Sequence, residues 1–380
     1  MREDVKSLQI DTLEFHYKSD KIEATHHRKV VIQEKNMNTQ IFATFGPACG
    51  NKEILRKMID AGMTGMRLNL SHTTLSNSAS YINAYREAAS EAGVIPQILI
   101  DMQGPELRVG DVGEIELEAK KWAVFYPKEM GANQSQENCL GALNEMKPVP
   151  VPLAVIKAAR VGDEILLDDG KLLVEVIALE AEKLCVKVVR GGILRSHKSI
   201  KIKDKNIKLP PLTAHDIENI KCAKEYGVTA LMQPFVLDGD DLKYVRSILK
   251  EYGIEDIQIF AKIENRLGVE NLDSILKEAD AIIIARGDLG NDMPLWELPR
   301  VQKQIEKACK EKDVPYVVVT QMLSSMETNP VPTRAEVSDI FHAVYHGAWG
   351  VMVTGETAVG KYPVEAVCYL ANTAQEANIL

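Results

Sequence analysis

Residues 257–264 read IQIFAKIE and residues 281–290 read AIIIARGDLG. Both begin as apolar runs of strand length, and both end on charge: Lys262 and Glu264 in the first, Asp288 in the second. Between them, Val269 to Lys277 spaces its apolar residues near the helical period. Strand, helix and strand in this order form a parallel crossover unit. A charge left dry and unpaired costs several kcal/mol. These three side chains therefore belong where the strands open onto a polar site.

The unit repeats in both directions along the chain. Further apolar, β-branched runs occupy Ile41–Phe45, Met66–Leu70, Gln97–Asp101, Ala230–Phe235, Tyr316–Thr320 and Val351–Thr354, which makes eight in all. Helical patterns at Lys52–Ala61, Asp216–Tyr226, Asp241–Glu251, Val301–Lys312 and Glu336–His346 separate most of them. Eight strands with crossover helices predict an α/β fold, a closed (β/α)8 TIM barrel, with an open doubly wound sheet as the alternative. One gap breaks the rhythm. From about Gly113 to Ser196 the pattern turns to short alternating stretches punctuated by Asp168-Asp169-Gly170 and Gly191-Gly192, as expected of a small all-β domain inserted after the third strand. The expected organisation is an N-terminal extension over 1–38, barrel over 39–112, inserted β lid over 113–197, and barrel again over 198–380. Barrel active sites lie at the carboxyl ends of the strands, so such an insertion hangs over the site and can act as a lid.

Bulk properties exclude several classes. The 380 residues carry a net charge of −9, which argues against a nucleic-acid coat. The basic run RSHKSIKIKDKNIK at 195–208 joins lid to barrel and lacks interleaved aromatics, so it reads as a hinge near bound phosphates. Six cysteines occur without a CxxC spacing, which points to free thiols in a reducing compartment and to packing roles. No secretory h-region and no stretch of ~18 apolar residues is present. A cytoplasmic protein with no membrane partner is the expectation.

The strand ends carry FGPAC, RLNLSH, DMQGPELR, KIEN, ARGDLG, TQML and TGETA, an excess of charged and hydroxyl groups at one end of a barrel. Singly, each has a structural explanation: Glu264 could pair with Lys262, and Arg67 could form a rim salt bridge. Together they make that explanation poor. Glu264 and Asp288 are hard oxygen ligands on adjacent strands that leave a divalent ion open to substrate. Lys262 and Arg67 supply charge for phosphoryl oxygens, and the Gly287–Gly290 turn can offer backbone N–H groups to a carboxylate. No GxxxxGK[ST] loop occurs, so a nucleotide is held another way.

Eight segments in order carry a resemblance: TQIFATFGPA (39–48), GMRLNLSH (65–72), DMQGPELR (101–108), AKIENRLGV (261–269), ARGDLG (285–290), TQMLSSM (320–326), NPVPTRAEVSD (329–339) and TGETAVGKYPVEAV (354–367). From about Thr39 onward the chain resembles the pyruvate kinase family, glycolytic enzymes that move a phosphoryl group from phosphoenolpyruvate to ADP. The resemblance implies that Glu264 and Asp288 hold Mg2+ (or Mn2+). Lys262 would stabilise the phosphoryl group in flight, and Arg67 would bind it at rest. Backbone atoms of Ala285, Gly287 and Asp288, with the Thr320 hydroxyl, would seat the substrate carboxylate, and Thr320 would relay a proton to the enolate. Asn69, Ser71, Asp101 and the Met102 carbonyl match a potassium site, with Glu106 the residue that accompanies potassium dependence. Arg108, His72 and Lys198 match contacts to the ADP/ATP phosphates.

Departures from the family pattern fall mostly on residues thought to face the nucleotide: Gln40 and Gln103 stand where lysines are usual, Asn77 for an aromatic, Val359 for a basic residue. Met102 replaces a threonine, and Leu267 a polar residue. The expectation is weaker nucleotide binding before lost metal binding. The sequence given stops after the eighth barrel helix, and the expectation is an enzyme lacking the family's effector-binding C-terminal domain, non-allosteric and monomeric or homodimeric rather than tetrameric. The first 37 residues carry three histidines; His26-His27 read as part of a solvated segment. Two other readings stand beside the kinase: a Mg2+-dependent lyase or decarboxylase acting on a pyruvate-like acid, and a catalytically impaired phosphoenolpyruvate-sensing paralogue.

Overall fold

The computed structural model describes residues 39–379, apart from 72, 129–145, 169, 181, 204 and 206. The expectations for the N-terminal extension, for Cys139 and for His72 therefore lie outside the described residues.

The barrel begins with β1 (Gln40–Thr44), β2 (Gly65–Asn69) and β3 (Gln97–Asp101). The inserted domain then contributes β4 (Glu114–Leu117), β5 (Trp122–Pro127), β6 (Lys147–Val151), β7 (Glu164–Leu167), β8 (Leu172–Glu180), β9 (Lys183–Arg190), β10 (Gly192–Arg195) and β11 (Ile200–Ile202). The barrel resumes with β12 (Ala230–Gln233), β13 (Gln258–Ile263), β14 (Ala281–Ala285), β15 (Tyr316–Val319) and β16 (Gly350–Met352). Its eight strands close in the order β1-β16-β15-β14-β13-β12-β3-β2, every pairing parallel. The open-sheet alternative is thereby excluded.

Period-two alternation fills the barrel. Phe42, Leu99, Met232, Phe260, Ile283, Val317 and Met352 form one buried cluster, and Trp349 plugs it with ring centroids 5.8 Å from Phe42 and 5.9 Å from Phe260. Gly65 makes room for this plug, because a Cβ there would stand 2.8 Å from the Phe42 ring. A second, larger cluster lies between strands and helices, where Leu55, Leu242, Ile305 and Leu370 bury apolar helix faces. The insertion has a core of its own, including Phe125, Val149, Val174 and Val186. It is a mixed six-stranded sheet, β11-β7-β8-β9-β5-β6, beside a β10-β4 pair. It is not wholly β: a short helix, Leu153–Ala158, follows β6. No helix among the described residues is long and apolar enough to cross a membrane.

Candidate active site

Alternation also builds the site. Phe260 points into the barrel, so Lys262 two residues on does the same one layer higher. Leu99 and Asp101 repeat this on β3, and register aligns Arg67 with Leu99 and Asn69 with Asp101. The apolar filling stops at this layer and charge begins. Asp101 is the hub: its Oδ2 accepts from Arg67 Nη2 at 2.6 Å and Nε at 2.9 Å, and its Oδ1 lies 3.1 Å from Lys262 Nζ. Arg67 Nη1 also donates to Thr44 Oγ1 at 3.3 Å, which fixes the plane of the guanidinium. Lys262 Nζ stands 2.8 Å from Glu264 Oε1.

Both cations keep 13% of their side chains exposed, toward the mouth, while Asp101 and Glu264 are buried. Burial alone would push the Asp101 carboxyl up, but Lys262 and Arg67 outweigh it and hold the group below its ordinary value. Burial would likewise lower Lys262, yet Asp101 and Glu264 keep its pKa above the ordinary lysine value, so it is an ammonium.

Glu264 behaves differently. Its Oε2 accepts from the Phe235 backbone N–H at 2.8 Å. Its Oε1 is buried, and Lys262, though at ion-pair distance, is not aligned as a hydrogen-bond donor to it. Burial pushes this carboxyl up, and the Asp288 charge adds to the effect against the pull of Lys262. With Asp288 beside it, Glu264 brings more negative charge to this corner than Lys262 neutralises, which favours a further cation. Among the described residues no group of three or more His, Cys, Asp or Glu closes around a metal. Two carboxylates fit a hard divalent ion that keeps its remaining positions for water and substrate.

Beyond β14 the expected turn is a short helix, Arg286–Asn291, so Gly287 and Asp288 lie in its first turn and not in a loop. Asp288 is exposed and lines, with Glu264, a cavity under the lid. Thr320 follows β15 with φ of 77°, and Gln321 has φ of 56°. A left-handed β-branched residue is a costly conformation that persists only where its surroundings enforce it. Here Arg286 enforces it, donating through Nη2 to the Thr320 carbonyl at 2.7 Å while Nη1 holds Asp339 at 2.6 Å. The bend sets Thr320 against Gly287, where an added Cβ would stand 3.0 Å from Thr320 Cγ2.

Asn69 Oδ1 accepts from the Ser71 N–H at 3.1 Å, and the Leu70 N–H donates to the Asp101 carbonyl at 2.9 Å, so the matched potassium residues gather at the ends of β2 and β3 with Met102 next in line. Arg108 and Lys198 sit at the lid hinge, each tied to a carboxylate. Arg108 Nη2 lies 2.6 Å from Glu106, and Nη1 donates to the His197 carbonyl at 2.8 Å. Lys198 Nζ lies 3.2 Å from Asp168. Lys201 of β11 pairs with Asp292 beyond the Arg286–Asn291 helix, which clasps lid to barrel.

One expected departure is misplaced. Gln40 opens β1 and so lies at the amino end of the barrel, opposite the site, where its loss of charge has no bearing on a nucleotide. Gln103 accepts from Thr213 Oγ1 at 3.3 Å beside a helix cap, whereas Asn77 and Val359 are exposed after β2 and β16. Sequence reasoning missed Phe235, Arg286, Thr44 and the Lys201–Asp292 clasp. Arg286 stood in plain view within ARGDLG, but nothing local reveals that it reaches a carbonyl 34 positions away.

Comparison with known proteins agrees with this geometry. The family model "Pyruvate kinase, barrel domain" matches residues 36–367. Curated relatives include the pyruvate kinases of Bacillus licheniformis, 38% identical over 88% of this chain and 56% of that protein, and of Chlamydia pneumoniae, 37% identical over 87% and 66%. That of Clostridium acetobutylicum is 35% identical over 89% of this chain and 70% of its own. The chain thus spans between 56% and 70% of the length of these relatives.

Proposed function

Because the chain belongs to the pyruvate kinase family, we propose that it transfers the phosphoryl group of phosphoenolpyruvate to ADP, giving pyruvate and ATP. The observation that carries this reading is the Lys262 ammonium, held between buried Asp101 and Glu264 at the barrel mouth with Arg67 on the same aspartate. Phosphoryl transfer asks little covalent chemistry of a protein and much placed charge. Lys262 meets the phosphoryl oxygens in flight, and Arg67 holds them in the resting complex. The first turn of the Arg286–Asn291 helix, with the Ala285, Gly287 and Asp288 backbone and the Thr320 hydroxyl, orients the carboxylate. Thr320 then delivers a proton to the enolate carbon.

Glu264 and Asp288 would hold Mg2+ or Mn2+, which would supply the Lewis acidity to neutralise developing charge. Asn69, Ser71, Asp101 and the Met102 carbonyl would hold K+, with Glu106 nearby in sequence. Arg108, Lys198 and His72 take the nucleotide phosphates, which requires Arg108 and Lys198 to loosen their carboxylate partners. The inserted domain, expected over 113–197 and extended to Ile202 by β11 of its sheet, acts as the lid that excludes water.

Following phosphoenolpyruvate, ADP and Mg2+ by 31P NMR tests this directly. Stoichiometric ATP formation is the expected result. Mg2+-dependent binding of oxalate, an enolate mimic, without any transfer would sink the kinase reading in favour of enolate chemistry or sensing.

A further inference from the structure

The Arg334–Tyr345 helix and its cap carry histidines at 342 and 346, and the His346 N–H closes the turn between them on the His342 carbonyl at 2.9 Å. Residues four apart share a helix face. Both rings accordingly line one cavity of about 400 Å3 against the Leu298–Glu311 helix, together with Arg286, Gln302, Lys303 and Asp339. The cations of this cavity are already matched: Lys303 Nζ meets Glu306 at 2.8 Å, and Arg286 Nη1 meets Asp339 at 2.6 Å. The two imidazoles remain to be accounted for, and neither belongs to the residues gathered around Lys262.

Their chemistry is preset. His342 Nδ1 lies 2.7 Å from the Ser338 carbonyl oxygen, which accepts and cannot donate, so Nδ1 carries the hydrogen and Nε2 keeps its lone pair. An imidazole whose other nitrogen donates to a carbonyl is the usual state of a metal-ligating histidine. Burial and the Lys303 charge hold His346 below its ordinary pKa, so it is neutral near pH 7. The two ring centroids stand 6.1 Å apart. Zn2+ sits about 2.1 Å from an imidazole nitrogen, so two rings on one ion have centroids within about 6.5 Å of each other, and the pair falls inside that reach. We infer that His342 and His346 form a chelating site for a divalent ion of the Zn2+, Cu2+ or Ni2+ class, separate from the carboxylates Glu264 and Asp288. Among the described residues no group of three His, Cys, Asp or Glu side chains closes around a metal, so water completes the coordination. Imidazole suits these ions, whereas Mg2+ prefers oxygen, so the two sites select different metals. An ion that joins successive turns also ties down the carboxyl end of the helix. The inference stands apart from the phosphotransfer reading.

Titration calorimetry of the full chain with Zn2+ and with Cu2+, and pulsed EPR of the Cu2+ form, test this. Three further histidines lie in the first 37 residues, so His342→Ala and His346→Ala assign the site. Cu2+ should bind more tightly than Zn2+, and the echo modulation should show two imidazoles on the ion. Each variant should weaken this site at least tenfold and leave a single imidazole, with the Mg2+ requirement of turnover unchanged. Binding should be at least tenfold weaker at pH 5.5 than at pH 7.5, because both ligands must be deprotonated. Zn2+ at about a hundredfold excess over its Kd should raise the Tm of the wild type by about 3 °C, and of neither variant. No Cu2+ binding up to about 1 mM, a single imidazole on the ion in the wild type, or unchanged binding in both folded variants would each overturn the proposal.

Discussion

Replacing Asp101 with asparagine tests how the charge cluster is held. The side chain keeps its shape, but Lys262 and Arg67, both largely buried, lose the anion they share. Glu264 still neutralises Lys262 at 2.8 Å, whereas Arg67 keeps only the Thr44 hydroxyl at 3.3 Å. Removing one partner of a buried ion pair costs about 3–5 kcal/mol. For a chain of this length, with an unfolding entropy of about 2 cal/mol/K per residue, that corresponds to a loss of roughly 4–6 °C in Tm. Because Asp101 has a lowered pKa when folded, its contribution is present above the ordinary carboxylate pKa of about 3.9 and is lost as pH falls through the folded value. The gap between wild type and variant should therefore close below about pH 4. The vacated place is also one that an added anion can neutralise. Phosphoenolpyruvate should raise the Tm of the variant more than that of the wild type. Scanning calorimetry at pH 7.5 and at steps from pH 4 downward, with and without phosphoenolpyruvate, reads all three effects. An Asp101→Asn protein within 1 °C of wild type at pH 7.5 would refute the view that Asp101 neutralises both cations.

Other consequences follow from single contacts. Gly287→Ala presses a methyl to 3.0 Å from Thr320 Cγ2; kcat should fall by about tenfold or more with Tm nearly unchanged, since small misplacements at a reacting centre are costly. Glu264→Gln should raise the Mg2+ requirement at least tenfold in a metal titration. Its folded pKa is raised, so the carboxyl's stabilising contribution is present below about pH 4.3 and lost as pH rises through the folded value; the metal-free variant should be no less stable than wild type at pH 8. Thr333→Ala removes the cap of the Arg334–Tyr345 helix, where Thr333 Oγ1 accepts from the Glu336 N–H at 3.3 Å and Glu336 answers at the Thr333 N–H at 2.7 Å. Denaturant unfolding should report a loss of about 1 kcal/mol without a change in activity.

The barrel was legible because its signals are local. Apolar runs at regular spacing give eight strands, and alternation alone carries Lys262, Asp101 and Arg67 to the interior above Phe260 and Leu99. The same alternation misleads at Thr320. After Val319 it would send this side chain outward, and only the left-handed φ imposed from Arg286 turns it to Gly287. Such a bend depends on a partner distant in sequence, so no local pattern encodes it. Gln40 failed for the opposite reason: its place in a motif was visible, but not that the first residue of a strand lies at the far end of the barrel from the last. The Lys201–Asp292 clasp joins residues 91 apart and belongs to tertiary structure alone. His72 of the nucleotide set lies outside the described residues, and Arg108 and Lys198 meet carboxylates at the hinge, an arrangement that motif spacing could not foretell.

The central claim is that the ammonium between Asp101 and Glu264 drives phosphoryl transfer. The most direct measurement is steady-state pyruvate formation from phosphoenolpyruvate and ADP by the wild type and by Lys262→Met, with Mg2+-dependent oxalate binding as a control for an intact site. The account predicts a loss of about 10²–10³ in kcat, the scale of deleting one electrostatic donor, with oxalate binding retained. A Lys262→Met enzyme that turns over at the wild-type rate while binding oxalate normally would contradict it.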